Sequence, residues 1–403
     1  MFVQNFFQNE YIFIYKIILK VVMKTNNYEK TTLVVDGNWL LMGRQFMLND
    51  QFSISNPQSM RDTASNNLAD LMCQSISVCL RAMSGIITNV VFVSDGGSWR
   101  KNIEKPNIIS EAVYKGTRSF ESTTDWNAVW KSMNILTKRL KSYGMTVSNV
   151  AGAEGDDWCW WWSRKLNALG ENVILWTIDE DIKQLITVNP ETGCWTGVYE
   201  KRPGLVLPTS LDPGEDNNID DIDFFMNNYQ SAKSEAADTL SKIFQTKYLN
   251  PSAIINKKIF VGDGGDNILP TFTYCKGGKT YKATVKDMEG LIDMNKDEYS
   301  EDCWVKSLPN IYHNIIESKK SRLSGAKMVS ENDFIEHAIY NRTMVWLDDS
   351  QIPDEVKSKM SEVEYKRLTP DQMHDIRFNW KVLAEKSSKD EIESLFNDDD
   401  MPF

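Results

Sequence analysis

Leu33-Val34-Val35-Asp36, Val90-Val91-Phe92-Val93-Ser94-Asp95 and Val173-Ile174-Leu175-Trp176-Thr177-Ile178-Asp179 are three short apolar runs, and each ends on an aspartate. Non-alternating runs rich in β-branched residues suit strands buried on both faces, as in a parallel sheet. The segments between them, Leu68 to Met83 and Trp126 to Tyr143 among them, carry apolar residues at helical spacing. Strand and helix in alternation predict an α/β fold, a mostly parallel sheet flanked by helices. Ligands of such sheets bind outside the carboxyl ends of the strands, so Asp36, Asp95 and Asp179 are expected to converge there. One aspartate after a strand is commonly a turn or helix-capping residue. Three in one chain, joined by further acids, point to a shared site.

Those further acids come in tight groups. Glu154-Gly155-Asp156-Asp157 opens an apparent helix, Asp181 forms an Asp-x-Asp pair with Asp179, and Asp263 and Asp266 lie in Val261-Gly262-Asp263-Gly264-Gly265-Asp266-Asn267-Ile268. Nine carboxylates in one pocket repel one another strongly unless cations neutralise them. Hard divalent ions prefer oxygen ligands and magnesium takes only a few carboxylates, so this many suggests two metal positions. Two ions about 4 Å apart can clamp the attacking and leaving oxygens of a phosphodiester. The run Trp160-Trp161-Trp162 reads as core packing, because consecutive helical residues point in different directions and cannot share a base-stacking face.

At 403 residues the chain can bury a full core as one large domain or two small ones. A net charge of −11 argues against a general nucleic-acid coat protein, yet it is compatible with a local carboxylate site. The six cysteines form no CxxC pair and there are three histidines, which argues against a cysteine/histidine zinc site. Scattered thiols fit a reducing compartment, and the chain is read as cytoplasmic. The apolar stretch from Tyr11 to Val22 is interrupted by Lys16 and Lys20, is short for a membrane span and lacks the marks of a signal peptide. Residues 1–22 are therefore read as a non-native extension or flexible N-terminal segment, with Met23 a plausible start. Residues 23–262 form the expected α/β domain. Within it, 204–251 is read as a surface insertion or linker, from Pro208, Pro213, Gly214 and the acids that follow. Residues 287–389 are charged and mostly helical in pattern, so 263–388 is read as a helical C-terminal domain and 389–403 as a disordered acidic tail.

In order along the chain, Val35-Asp36-Gly37, Asp95 with Trp99-Arg100-Lys101, Tyr114-Lys115-Gly116-Thr117-Arg118, Glu154-Gly155-Asp156-Asp157, Thr177 to Asp181 with Gln184-Leu185, and Gly262-Asp263 with Asp266-Asn267 resemble the flap endonuclease/5′-exonuclease family of the PIN-like fold. Within that family the pattern is most similar to the ribonuclease H branch of T-even phages. Weaker echoes are Glu121 to Trp126 and Tyr340-Asn341-Arg342 leading to Ile352-Pro353. The resemblance implies a helical arch, a mainly helical C-terminal duplex-binding region, and a two-metal magnesium enzyme in which manganese substitutes. It implies that Asp36, Asp95, Glu154, Asp156 and Asp179 hold one metal group, and that Asp157, Asp181, Asp263 and Asp266 serve a second. Lys115 and Arg118 would be catalytic, reaching the scissile phosphate from the arch. Arg100, Lys101 and Tyr114 would contact DNA near the cut. The expected substrates are DNA and RNA/DNA hybrid with 5′ single-stranded ends or flaps, and the expected role is removal of RNA primers or 5′ flaps during phage-type replication.

Two features depart from the family pattern. Ile268-Leu269-Pro270 continues into Thr271 to Lys279 without the glycine-rich helical hairpin expected there, which puts a monovalent-cation site in doubt; Lys276, Lys279 and Lys282 remain candidates for phosphate contact. The 204–251 stretch is the second. The terminus Asp398-Asp399-Asp400-Met401-Pro402-Phe403 resembles the acidic tip of bacterial single-stranded-DNA-binding proteins and implies docking of replication proteins. The main rival is a non-catalytic DNA-binding replication adaptor of the same fold, which loss of several carboxylates would favour; all nine matched positions are acidic. A haloacid-dehalogenase-like phosphatase needs Asp-x-Asp at the first strand, and Asp36-Gly37-Asn38 fails that.

Overall fold

The computed structural model describes residues 30–83, 86–106, 114–116, 122–200, 204–211, 245–249, 251–282 and 301–385. Arg118, residues 1–22 and the tail bearing Asp398 to Phe403 lie outside the described residues.

The three apolar runs form β1 (Thr31–Asp36), β2 (Ile87–Val93) and β4 (Asn172–Trp176). β1 pairs in parallel with both β2 and β4, and β2 pairs in parallel with β3 (Thr146–Ser148). Further strands are β5 (Thr187–Val188), β6 (Trp195–Tyr199), β7 (Leu205–Pro208) and β8 (Thr246–Leu249). The sheet order is β3-β2-β1-β4-β6-β7-β8, with β5 paired to β6. Within this sheet, among the described residues, only the β5–β6 and β6–β7 pairings are antiparallel.

The runs fail to alternate because each strand is buried twice. Leu33, Val35, Val90, Phe92, Ile174 and Trp176 enter one core cluster, while Val34, Val91, Val93, Val173 and Leu175 enter another on the opposite face. α1 (Gly37–Gln45), α2 (Gln58–Ala82) and α3 (Trp126–Tyr143) supply the first cluster, and α4 (Gly155–Ala168) supplies the second. On α4, Trp158 and Trp162 are fully buried and Trp160 nearly so, consistent with a packing role.

A third cluster gathers Phe260 on α5 (Ser252–Val261), Trp304 and Tyr312 on α6 (Glu301–Ser318), and Phe334 on α8 (Glu331–Val345), with the short α7 (Lys320–Leu323) between the latter two helices. This region is not wholly helical. β9 (Thr273–Lys276), β10 (Lys279–Lys282) and β11 (Lys327–Met328) form a small antiparallel sheet in the order β10-β9-β11. Its hairpin turns on Gly277 (φ 59°) and Gly278 (φ 74°), two consecutive left-handed residues of the kind a two-residue hairpin loop requires.

Two further differences concern boundaries. The stretch 204–251 contributes β7 and β8 to the main sheet at its two ends. Beyond α8 the chain returns to the first two clusters through Leu347, Val356 and Met360 of the segment carrying α9 (Asp354–Ser361), and through Met373, Ile376 and Leu383 of α10 (Pro370–Phe378) and α11 (Lys381–Glu385). Among the described residues, no helix is long and apolar enough to cross a membrane.

Candidate active site

The strand order reverses at β1, whose sequence successors β2 and β3 lie on one side and β4 on the other. Asp36 is opposite Val93, so Asp95 emerges two residues beyond that level, and Asp179 follows three residues after Trp176, the partner of Val35. All three therefore leave the sheet at the same edge, the crevice where such folds bind ligands.

Asp36 caps α1: Oδ1 accepts from Trp39 N at 3.1 Å, and Oδ2 accepts from Thr177 Oγ1 at 2.8 Å. Asp95 Oδ1 accepts from Gly155 N at 2.6 Å, at the N-terminus of α4, where the helix dipole favours an anion. A Cβ on Gly155 would lie 3.1 Å from Asp95 Oδ1, a tight approach, so a glycine there lets the helix start seat closely against Asp95. Asp156 occupies the next position of the helix, and Asp179 caps the following turn by accepting from Asp181 N at 2.9 Å.

Burial and mutual repulsion leave this group proton-hungry. Burial pushes the Asp36 carboxyl from its ordinary 3.8 up to about 6, with Asp95 and Asp179 adding to the rise. Burial, then the neighbouring Glu154, raises Asp95; burial, then Asp179, raises Asp156 well above the usual range. The buried Cys159 thiol is pushed up by burial and further by the nearby Asp36, Asp156, Asp179 and Asp95.

Glu154 and Asp157 behave differently. Arg100 Nη1 donates to Glu154 Oε2 at 2.6 Å, Arg100 Nη2 to Asp157 Oδ1 at 2.8 Å, and Lys115 Nζ to Glu154 Oε1 at 2.5 Å. Asp157 Oδ2 also accepts from Trp99 Nε1 at 3.0 Å and from Glu154 N at 2.9 Å. Burial alone would raise the Glu154 carboxyl, but Arg100 and Lys115 bring it below its ordinary value. Arg100, expected to grip the DNA backbone, is instead 2% exposed and stacked on Trp99 at 4.4 Å, because two carboxylates at the start of α4 draw its fork inward. Lys101 is exposed on the wall of the cleft. Tyr114 is nearly buried, with Lys115 Nζ 5.0 Å above its ring. Lys276, Lys279 and Lys282 are exposed on the β9–β10 hairpin and are not among the residues that line the cleft; Lys276 Nζ donates to Arg322 O at 2.9 Å.

Asp181, Asp263 and Asp266 bring carboxylate oxygens within 4.8 Å of one another. Their loop is closed by Asp263 N to Ile268 O at 2.9 Å and Ile268 N to Asp263 O at 2.8 Å. Closure needs Gly262 at φ 80°, where a Cβ would meet Ile268 O at 2.5 Å, and Asn267 at φ 57°. Asn341 Nδ2 braces the loop through Ile259 O and Leu269 O, each at 2.8 Å. Lys115 N donates to Asp266 O at 2.9 Å and so ties the two acid groups together. Lys258, which sequence reading missed, pairs with both Asp181 and Asp263. Its only sequence signal is its place on α5, one turn before Gly262.

Asp36, Asp95, Glu154, Asp156, Asp179 and Lys115 all face one cleft of about 1180 Å³, which also reaches Asp266 and the aromatic residues Trp39, Phe46, Trp126 and Trp130.

No family model matches this sequence, and no curated protein matches it. Among solved structures, the bacteriophage T5 D15 protein co-crystallised with metal ions is similar over 91% of this chain and 99% of its own, at 14% identity and a TM-score of 0.45. The D15 flap endonuclease of the same phage, in a pseudo-enzyme–product complex with DNA and metal ions, is similar over 88% of this chain and all of its own, at 15% identity and a TM-score of 0.44. T5 5′-exonuclease with bound zinc gives 14% identity and a TM-score of 0.43 over the same shares.

Proposed function

We propose that this chain is a magnesium-dependent nuclease acting on 5′ ends, with 5′→3′ exonuclease and flap endonuclease activity. The observation that carries this reading is the meeting of Asp36, Asp95, Asp156 and Asp179, drawn from four distant segments, beside Lys115 in one open cleft. The group offers only carboxylate oxygens, crowded enough that each raises its neighbours, so the donor set fits a hard cation such as magnesium, with manganese a substitute. Asp36, Asp95, Asp156 and Asp179 would hold the first ion, with Asp181, Asp263 and Asp266 the second group. Bound there, magnesium supplies charge neutralisation at the phosphodiester and a more acidic water.

The chain's own residues do the rest. Asp157 fixes Arg100 and Trp99, and through them the start of α4. Arg100 orients Glu154, and Glu154 holds the Lys115 ammonium at the mouth of the acid group, where it can meet a phosphate oxygen as charge builds. Lys101 offers backbone contact from the rim. Arg118 is proposed to join Lys115 from the adjoining segment.

On the same reading, the finer assignment is to the ribonuclease H branch of T-even phages: removal of RNA primers and 5′ flaps from RNA/DNA hybrid and DNA during replication in a host cytoplasm. Asp398 to Phe403 would dock replication proteins. A magnesium-dependent digest of matched 5′-labelled substrates (single strand, flap, nicked duplex and RNA/DNA hybrid) tests this directly. Cleavage that releases 5′ products, and is lost in Asp156→Asn and Asp179→Asn while binding persists, is expected. Full activity in either variant contradicts the assignment.

A further inference from the structure

We infer that the Lys258 ammonium is a protein-borne cation that takes the place of a tightly held second divalent ion, so that the enzyme binds one such ion strongly, not two. The inference rests on the reading of the first acid group as a metal centre. Three carboxylates, from Asp181, Asp263 and Asp266, present oxygens within 4.8 Å of one another. The Lys258 side chain enters this group: its Nζ pairs with Asp181 Oδ1 and lies 2.5 Å from Asp263 Oδ2. The stem is held in place by α5, whose last turn closes with Gly262 N donating to Lys258 O at 3.1 Å. With its side chain only 14% exposed, the ammonium has little water to return to and is anchored by the two carboxylates.

The first group is built otherwise. Lys115 pairs with Glu154 there and acts on Asp95 and Asp156 through space, while Asp36 and Asp95 accept their hydrogen bonds from backbone and hydroxyl donors and not from an ammonium. A divalent ion entering the second group must either displace Lys258 or sit beside it. Each alternative weakens binding: the first strips a buried ammonium of both partners, and the second sets like charges a few ångströms apart.

The test is manganese titration into the metal-free full chain, followed by calorimetry and by paramagnetic resonance of the free ion. Wild type is expected to take up one ion tightly and a second at least about tenfold more weakly, from the repulsion of a unit charge at close range. Lys258→Met is expected to bind two ions tightly, and Lys258→Arg, which keeps the charge, one. Two equally tight ions in wild type, or no change in Lys258→Met, would overturn the inference and leave the first metal centre standing. No tight ion in any of the three would instead sink the nuclease reading. A measurement on wild type alone covers the case in which Lys258→Met does not fold: Lys258 should resist reductive methylation equally with and without millimolar magnesium. Magnesium-induced reactivity at Lys258 would mean that an ion evicts it, against the inference.

Discussion

Replacing Asp36 by asparagine should stabilise the metal-free protein at neutral pH while abolishing its response to magnesium. The Asp36 carboxyl is pushed from 3.8 to about 6, first by burial. At about 1.4 kcal/mol per unit, the ionised form is disfavoured in the folded state by about 3 kcal/mol. The sign follows from proton linkage. Between pH 4 and 6 the folded state binds this proton more tightly than the unfolded chain, so this contribution is present below the unfolded value and is lost as pH rises through about 6. Asparagine keeps the acceptor for Trp39 N and can donate to Thr177 Oγ1, without the charge. With an unfolding entropy of about 2.1 cal/mol/K per residue over 403 residues, 3 kcal/mol corresponds to about 3–4 °C in melting midpoint. Scanning calorimetry of both proteins from pH 5 to 8 in chelator, then in millimolar magnesium, reads this out. Without metal, the variant's advantage should grow from pH 5 to 7 and then level. With magnesium, wild type should gain stability and the variant should not. A variant that melts lower at pH 8, or responds to magnesium as wild type does, would refute the reasoning.

Arg100→Ala should lower stability by about 3–5 kcal/mol in urea unfolding, because it leaves Glu154 and Asp157 buried without their shared partner, and Arg100→Lys should recover only part, since an ammonium cannot reproduce the fork. Lys115→Ala should reduce cleavage of a 5′-flap substrate about 10²–10³-fold, with DNA binding little changed in a gel-shift assay; equal loss of binding would assign Lys115 to docking instead. Gly262→Ala should destabilise the fold by about 1–3 kcal/mol, because the residue holds φ 80° with no room for a Cβ, and hydrogen exchange should localise the loosening to the Asp263–Ile268 loop.

The three strand-end aspartates were legible because strands buried on both faces leave an unmistakable apolar run, and because topology sends their carboxyl ends to one edge. The start of α4 was legible for a related reason: Glu154 and Asp157 stand three residues apart, the spacing of a capping box. The orientation of Arg100 was not. An arginine beside a lysine looks like a phosphate grip, and only tertiary proximity to Glu154 and Asp157, more than fifty residues away, turns it inward. Lys258 was hidden in part for the same reason: Asp263 follows it by five residues, but Asp181 reaches it only through the fold. The β9–β10 hairpin did carry a local signal, Gly277-Gly278 between alternating Thr273-Tyr274-Cys275-Lys276 and Lys279-Thr280-Tyr281-Lys282, which the lysine-rich composition masked. β7 and β8 were obscured by their brevity and by Gly204 and Pro208, which punctuate the sheet edge as they would a linker. The return of residues 347–383 to the first two clusters is a long-range packing event with no local pattern to announce it.

On the proposed function, carboxylates from four distant segments jointly hold a divalent ion. Anomalous diffraction from crystals grown with manganese measures this most directly. A strong peak enclosed by Asp36, Asp95, Asp156 and Asp179, and absent in Asp36→Asn, is the predicted result. Well-ordered side chains at those four positions with no peak among them, at manganese concentrations that saturate cleavage, would contradict it.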